Sequence, residues 1–346
     1  RKHVGEIKNL EKIIGEMDFD SSIAIGHTRW ATHGKPNEIN SHPHKVGKFT
    51  IVHNGIIENY ASLKKLLKNY KFKSETDSEV IAALLDKLYK ENKNILKILK
   101  EMQNILIGSY ALGILCDEVP NTIYALRKDS PLIVGVGKNE NFIASDVPAI
   151  LKYTNKYMLI DEGEIIELHT DGVKIYNRNL EVIEKEILTF EGSLEQAEKN
   201  GYEHFMLKEI YEQPEVISET VYPFLQDGLD SLVRQMPNFK KYNSISIIGC
   251  GSAYHVGLVG KSLITKYGNI PVYVDIASEY RYTEHIYSKK HLIILISQSG
   301  ETADTLACIK KVKEYRVTTL GIVNVENSSI ARLVDRVIYT DAGPEI

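Results

Sequence analysis

The chain has 346 residues, 43% hydrophobic and 25% charged, ordinary proportions for a soluble globular protein and enough length for two or more domains. A formal net charge of −4 supplies no basic surface for nucleic acid, and no apolar run approaches the length that spans a bilayer. The 3 cysteines, Cys116, Cys250 and Cys308, make no disulfide framework and fit the reducing cytoplasm, and no stretch reads as a signal peptide.

Residues 1–20 place Ile7, Leu10, Ile13 and Ile14 on one helical face. Two short apolar runs follow, Ile23-Ala24-Ile25 and Phe49-Thr50-Ile51-Val52, each reading as a buried strand. The first leads into residues 27–34 (HTRWATHG) and the second into residues 53–59 (HNGIIEN). Polar groups just past a strand end can be aimed at a ligand by a rigid scaffold. Arg29 offers a planar fork of donors that suits a carboxylate. Asn54-Gly55 reads as a turn, presenting a side-chain amide and a backbone N–H that a ligand can approach closely. Those are parts of an oxyanion hole for acyl transfer, with no nucleophile nearby in sequence. Residues 57–69 and 77–90 then read as amphipathic helices, the second with Thr76 or Asp77 as N-cap, and residues 94–104 as a further helix.

From Gly108 the pattern changes to strands separated by Asn-, Gly- and Asp-rich turns, at the spacing of an antiparallel sheet system. Helices followed by antiparallel strands predict a layered α+β domain over residues 1–178. Residues 179–240 are charged and read as an interdomain linker whose helix is broken or kinked at Pro214. Residues 241–346 alternate apolar strands with helices, which predicts a parallel α/β sheet with ligands at the carboxyl ends of its strands. Two of those ends carry small polar residues, Gly249-Cys250-Gly251-Ser252 and Ser297-Gln298-Ser299-Gly300-Glu301-Thr302, and both open into a helix. Free N–H donors at a helix start suit phosphate, and hydroxyls add donors without charge. A dinucleotide loop is not supported, because Tyr254 stands where a third glycine is required. His27, His33, His42, His44 and His53 match no zinc spacing, so no metal is expected and structural roles are. Cys116 and Cys308 read as inert core, which leaves Cys250 as a candidate site residue.

HTRWATHG, HNGIIEN and Ser74-Glu75-Thr76-Asp77 resemble the glutaminase domain of class II glutamine amidotransferases, above all that of the glutamine–fructose-6-phosphate aminotransferases. SQSGET after a buried strand resembles the sugar-isomerase (SIS) domain. The resemblance implies an N-terminal-nucleophile hydrolase fold of αββα type, followed by a doubly wound SIS domain. It implies that Arg29, Trp30, Thr32, His33 and Asp77 bind glutamine, with Arg29 on its carboxylate, Asp77 on its amine, and Trp30 gating a route for ammonia. Asn54 and Gly55 would stabilise the oxyanion formed when an N-terminal cysteine, expected upstream of Arg1, attacks the amide. Ser297, Gln298, Ser299 and Thr302 would hold the sugar phosphate, with Cys250, Gly251 and Ser252 lining the sugar. Ala253 departs from the family's serine and removes one hydroxyl, a loss of about 1 kcal/mol. The implied reaction makes glucosamine 6-phosphate and glutamate from glutamine and fructose 6-phosphate, without a cofactor, in a cytoplasmic homodimer. A second SIS domain and a tail with a catalytic lysine are expected downstream, so residues 1–346 alone are expected to be inactive. The alternatives are another class II amidotransferase, or a sugar-phosphate-binding SIS protein with a disabled glutaminase.

Overall fold

A computed structural model describes residues 1–15, 21–29, 34–190, 201–226 and 229–343. The chain divides into two compact units, Arg1–Glu191 and Gly192–Ile346. In the first, α1 (Ile7–Gly15) buries none of its residues. A hairpin of β1 (His44–Val46) and β2 (Phe49–Ile57) precedes α2 (Tyr60–Leu66), α3 (Glu79–Glu91) and α4 (Ile95–Ile105). Then come β3 (Gly108–Cys116), β4 (Val119–Lys128), β5 (Ile133–Val136), β6 (Asn141–Ala144), β7 (Lys156–Leu159) and β8 (Ile165–Leu168). Last are β9 (Val173–Tyr176), β10 (Val182–Ile183) and β11 (Leu188–Thr189). They form a 7-stranded antiparallel sheet, β1-β2-β3-β4-β8-β9-β10, and a 4-stranded one, β11-β7-β5-β6.

Period-two alternation sets the layers. Tyr110, Leu112 and Ile114 of β3 join Phe49 and Ile51 of β2 in a core closed by Ile81 of α3 and Met102 of α4. The intervening Ala111, with Ala125 of β4, turns to the opposite face and meets Val134 of β5 and Met158 of β7. The two sheets therefore pack face to face, with α3 and α4 over the larger.

Several local expectations change. Ile23 and Ile25 pack against the core between the sheets, but their backbone joins no ladder among the described residues. β2 does not stop at Val52. It continues through Asn54 and Gly55, paired with Ala111 and Tyr110, so Asn-Gly is strand rather than turn and the next helix starts only at Tyr60. Gly55 makes this possible: its φ is +134°, and a Cβ there would lie 2.2 Å from the Ser109 carbonyl oxygen. The N-cap of α3 is Ser78, without a side-chain cap bond, because Thr76 and Asp77 are engaged elsewhere. Past residue 178 the first unit continues, since β10 pairs with β9 and β11 with β7; strands this short leave no readable period.

The second unit opens with α5 (Phe205–Gln226) and α6 (Leu229–Gln235), then a 3-10 turn (Phe239–Lys241). Phe224, Leu232, Met236 and Phe239 pack with Ile245, so this stretch belongs to the second core rather than to a linker. α5 runs through Pro214 and Pro223; both prolines are exposed, where water can serve the carbonyls they leave without a partner. Next come β12 (Ser244–Gly249), α7 (Gly251–Gly268), β13 (Val272–Ile276), α8 (Ala277–Tyr280), β14 (His291–Ser297) and α9 (Ala303–Glu314). β15 (Thr318–Val323), α10 (Ser329–Leu333) and β16 (Arg336–Tyr339) complete the unit. All five strands are parallel, in the order β13-β12-β14-β15-β16. Residues of α5, α6 and α7 cover one face of the sheet, and those of α8, α9 and α10 the other. This is a doubly wound sheet whose strand order reverses between β12 and β14, where such folds place ligands.

Candidate functional site

In the first unit a cavity of about 750 Å³ is lined by Arg29, Asn54, Gly55 and Asp77, residues drawn from separate stretches of the chain. Alternation along β2 sends His53 inward and leaves Asn54 exposed on the opposite face. Asp77 is only 4% exposed, and its Oδ2 accepts the Ile57 N–H at 2.7 Å, a charge-assisted bond that ties the segment before α3 to the end of β2. Arg29 donates to the carbonyls of Gly34 at 3.1 Å and Lys35 at 3.3 Å. Trp30, Thr32 and His33 lie outside the described residues.

Two further residues brace this arrangement, and sequence reasoning missed their role. Asn40 Oδ1 accepts the Glu75 N–H at 2.9 Å, while its amide donates to Glu75 Oε2 and to the Lys35 carbonyl, both at 3.0 Å. The loop that receives Arg29 is thereby fastened to the segment carrying Asp77. Glu75 stood inside a recognised motif, but nothing in sequence marked Asn40.

A cluster of imidazoles underlies the cavity. The ring centroids of His27 and His42 are 4.2 Å apart, and those of His42 and His44 are 4.7 Å apart. His53 bonds the Ser78 hydroxyl at 2.9 Å, and His44 the Thr76 hydroxyl at 3.3 Å. Burial, with repulsion from neighbouring rings and Arg29, pushes His42 down to about 2. Burial pushes His44 down to about 4 and lowers His27 and His53 as well, Asp77 opposing the shift at His53. The rings are therefore neutral at pH 7, and Arg29 and Asp77 are the full charges among the cavity's described lining residues. No cluster of His, Cys, Asp or Glu among the described residues could hold a metal ion.

In the second unit Gly249 pairs with Ile296, so Cys250 and Ser297 follow on neighbouring strands about 4.8 Å apart, at the reversal of strand order. Cys250 is the N-cap of α7, and Gly251, at φ +54°, begins that helix. Thr302 is the N-cap of α9. Ser297 Oγ lies 2.9 Å from Thr302 Oγ1 and accepts the Gly300 N–H at 3.1 Å, while Ser299 Oγ accepts the Glu301 N–H at 3.2 Å. Gln298 is part-buried, and Ser252 is exposed at the start of α7. All the predicted sugar-phosphate residues thus fall at two adjacent strand-to-helix junctions at the carboxyl edge of the sheet. Cys116 and Cys308 are buried, with burial raising both thiols, Cys308 to about 12.

The fold is that of a glutamine amidotransferase domain followed along the chain by a sugar-isomerase domain. Family models match in the same order, a glutamine amidotransferase domain over residues 27–152 and a SIS domain over residues 238–346. A protein of Clostridium tetani called glutamine–fructose-6-phosphate aminotransferase (isomerizing) is 47% identical over 100% of this chain and 58% of its own length. Its namesake in Clostridium acetobutylicum is 48% identical over 99% of this chain and 57% of its own. The chain is similar along its whole length to glutamine–fructose-6-phosphate aminotransferases and spans 58% of the length of the first of these relatives. Among solved structures, the C-terminal domain of the Francisella tularensis glucosamine-fructose-6-phosphate aminotransferase is 44% identical, with a TM-score of 0.40 over 43% of either chain. The glutamine phosphoribosylpyrophosphate amidotransferase of B. subtilis is 14% identical, with a TM-score of 0.39 over 91% of this chain and 75% of its own.

Proposed function

We propose that the first unit binds glutamine and the second a sugar phosphate, and that the whole protein moves the amide nitrogen of glutamine onto fructose 6-phosphate. The products are glucosamine 6-phosphate and glutamate. One observation carries the reading: among the cavity's described lining residues the histidines are neutral, and the full charges are one guanidinium and one carboxylate. That pair complements the two charged ends of a free amino acid, Arg29 gripping the carboxylate and Asp77 the ammonium. Asn54 and the Gly55 N–H would then stabilise the tetrahedral oxyanion. None of the chain's 3 cysteines is among the cavity's described lining residues. Ser297, Gln298, Ser299 and Thr302 would hold the phosphate at the start of α9, and Cys250, Gly251 and Ser252 would line the sugar.

The names of the relatives support the same reading. It carries with it domains of glutaminase and SIS type, a cytoplasmic location and a homodimer for the whole protein, and partners other than nucleic acid or membrane. No helix among the described residues is long and apolar enough to cross a membrane. Calorimetry with glutamine tests the first site. Arg29→Lys keeps the charge but loses the two-pronged grip, and should weaken binding by about 2 kcal/mol, roughly thirtyfold. Unchanged affinity in Arg29→Lys would sink the assignment.

A further inference from the structure

The loop that carries Gln298, Ser299 and Thr302 is held from behind by the connection between β15 and α10. Asn324 donates its backbone N–H to the Gln298 carbonyl at 3.1 Å, and the Ile330 N–H bonds the Gly300 carbonyl at 2.9 Å. Glu301 Oε1 accepts the Ser329 N–H at 2.7 Å. Gly300 lies so close to this connection that an added Cβ would stand 2.0 Å from Ser328 Oγ. The connection acts as a plate against which the loop is moulded.

The side chain of Asn324 reaches the other way. Its Oδ1 accepts the Thr340 hydroxyl at 3.0 Å and the Ala342 N–H at 2.6 Å, and its Nδ2 donates to the Gly343 carbonyl at 2.6 Å. A single side chain thus ties the plate to the segment that follows β16, while the same residue's backbone grips the loop.

Given the phosphate-loop reading above, on which this inference rests, we propose that Asn324 is a positioning residue for phosphate binding. It holds the loop in its ligand-ready shape by anchoring the plate to residues 340–343, without itself touching the ligand. The hydroxyls of Ser297 and Thr302, hydrogen-bonded to each other at 2.9 Å, stay side by side at the start of α9 only while that shape is kept. A loop that must be ordered at the moment of binding binds more weakly than one already formed.

The test uses the full chain, titrated calorimetrically with inorganic phosphate and with fructose 6-phosphate, together with amide exchange at Gly300 and Glu301. Asn324→Ala should weaken both ligands by about tenfold and speed exchange at those two amides, because preorganisation is lost. Thr340→Val removes one anchor only and should weaken binding less. Added to Asn324→Ala it should do nothing more, since both act through the same bond. A folded Asn324→Ala protein with the parent's affinity would overturn the proposal, as would fully additive effects in the double variant. If Asn324→Ala does not fold, unchanged phosphate affinity in Thr340→Val overturns it instead. Failure of the unsubstituted chain to bind either ligand would bring down the phosphate-loop reading, and this inference with it.

Discussion

The imidazole cluster makes the first unit acid-labile above the range where carboxylates usually decide acid stability. His42 is 8% exposed and held down to about 2, His44 is 3% exposed and held down to about 4, and in an unfolded chain both return to about 6.5. These rings are neutral when folded, so the unfolded chain takes up protons first. The stability they contribute is complete above about pH 6.5 and is lost as pH falls from there toward 4, and further toward 2 for His42. At pH 5 each ring costs about 2 kcal/mol, and the pair about 4, on the scale of a domain's entire stability. His27 and His53 act in the same direction. Urea titrations at pH 7.5 and pH 5 measure the effect, followed by the NMR ring signals of His42 and His44 in the first unit. His44→Gln should flatten the dependence by about half. Equal midpoints at the two pH values would refute the reasoning, and so would ring titrations near 6.5 for His42 and His44 by NMR.

Other substitutions probe the frame around the sites. Gly55→Ala forces a Cβ to 2.2 Å from the Ser109 oxygen at φ +134°, and should cost about 3 kcal/mol or more; a thermal midpoint near the parent's would show that β2 and β3 can part cheaply. Asp86, 4% exposed, accepts from the Lys48 N–H, the Tyr70 hydroxyl and Lys90, so Asp86→Ala should lose about 2–3 kcal/mol in chemical denaturation, and a loss under 0.5 kcal/mol would contradict this. Alkylation at pH 8 followed by mass spectrometry should modify Cys250 long before Cys308, whose thiol is fully buried and raised to about 12; equal rates would mean that the α9 core opens readily.

Much was legible in the sequence because it is written in local terms. Strand–helix alternation after Ser244, the antiparallel series after Gly108 and the run of small polar residues at Ser297 all depend on neighbours a few positions apart. The end of β2 was not legible. Asn-Gly is turn-like by itself, and only β3, arriving from residues 108–116, holds those residues in a strand. Asp77 looked like a cap for the same reason, since its real partner, the Ile57 N–H, lies 20 positions back. The histidines were readable as residues but not as a neutral cluster, because that state comes from desolvation by surroundings that the folded chain assembles. So the sequence by itself determined which chemical groups the protein carries and which stretches hold them. The tertiary structure alone decided which groups meet, which are stripped of water and which hold others in place, since hydrogen bonds and desolvation depend on contacts between distant parts of the chain.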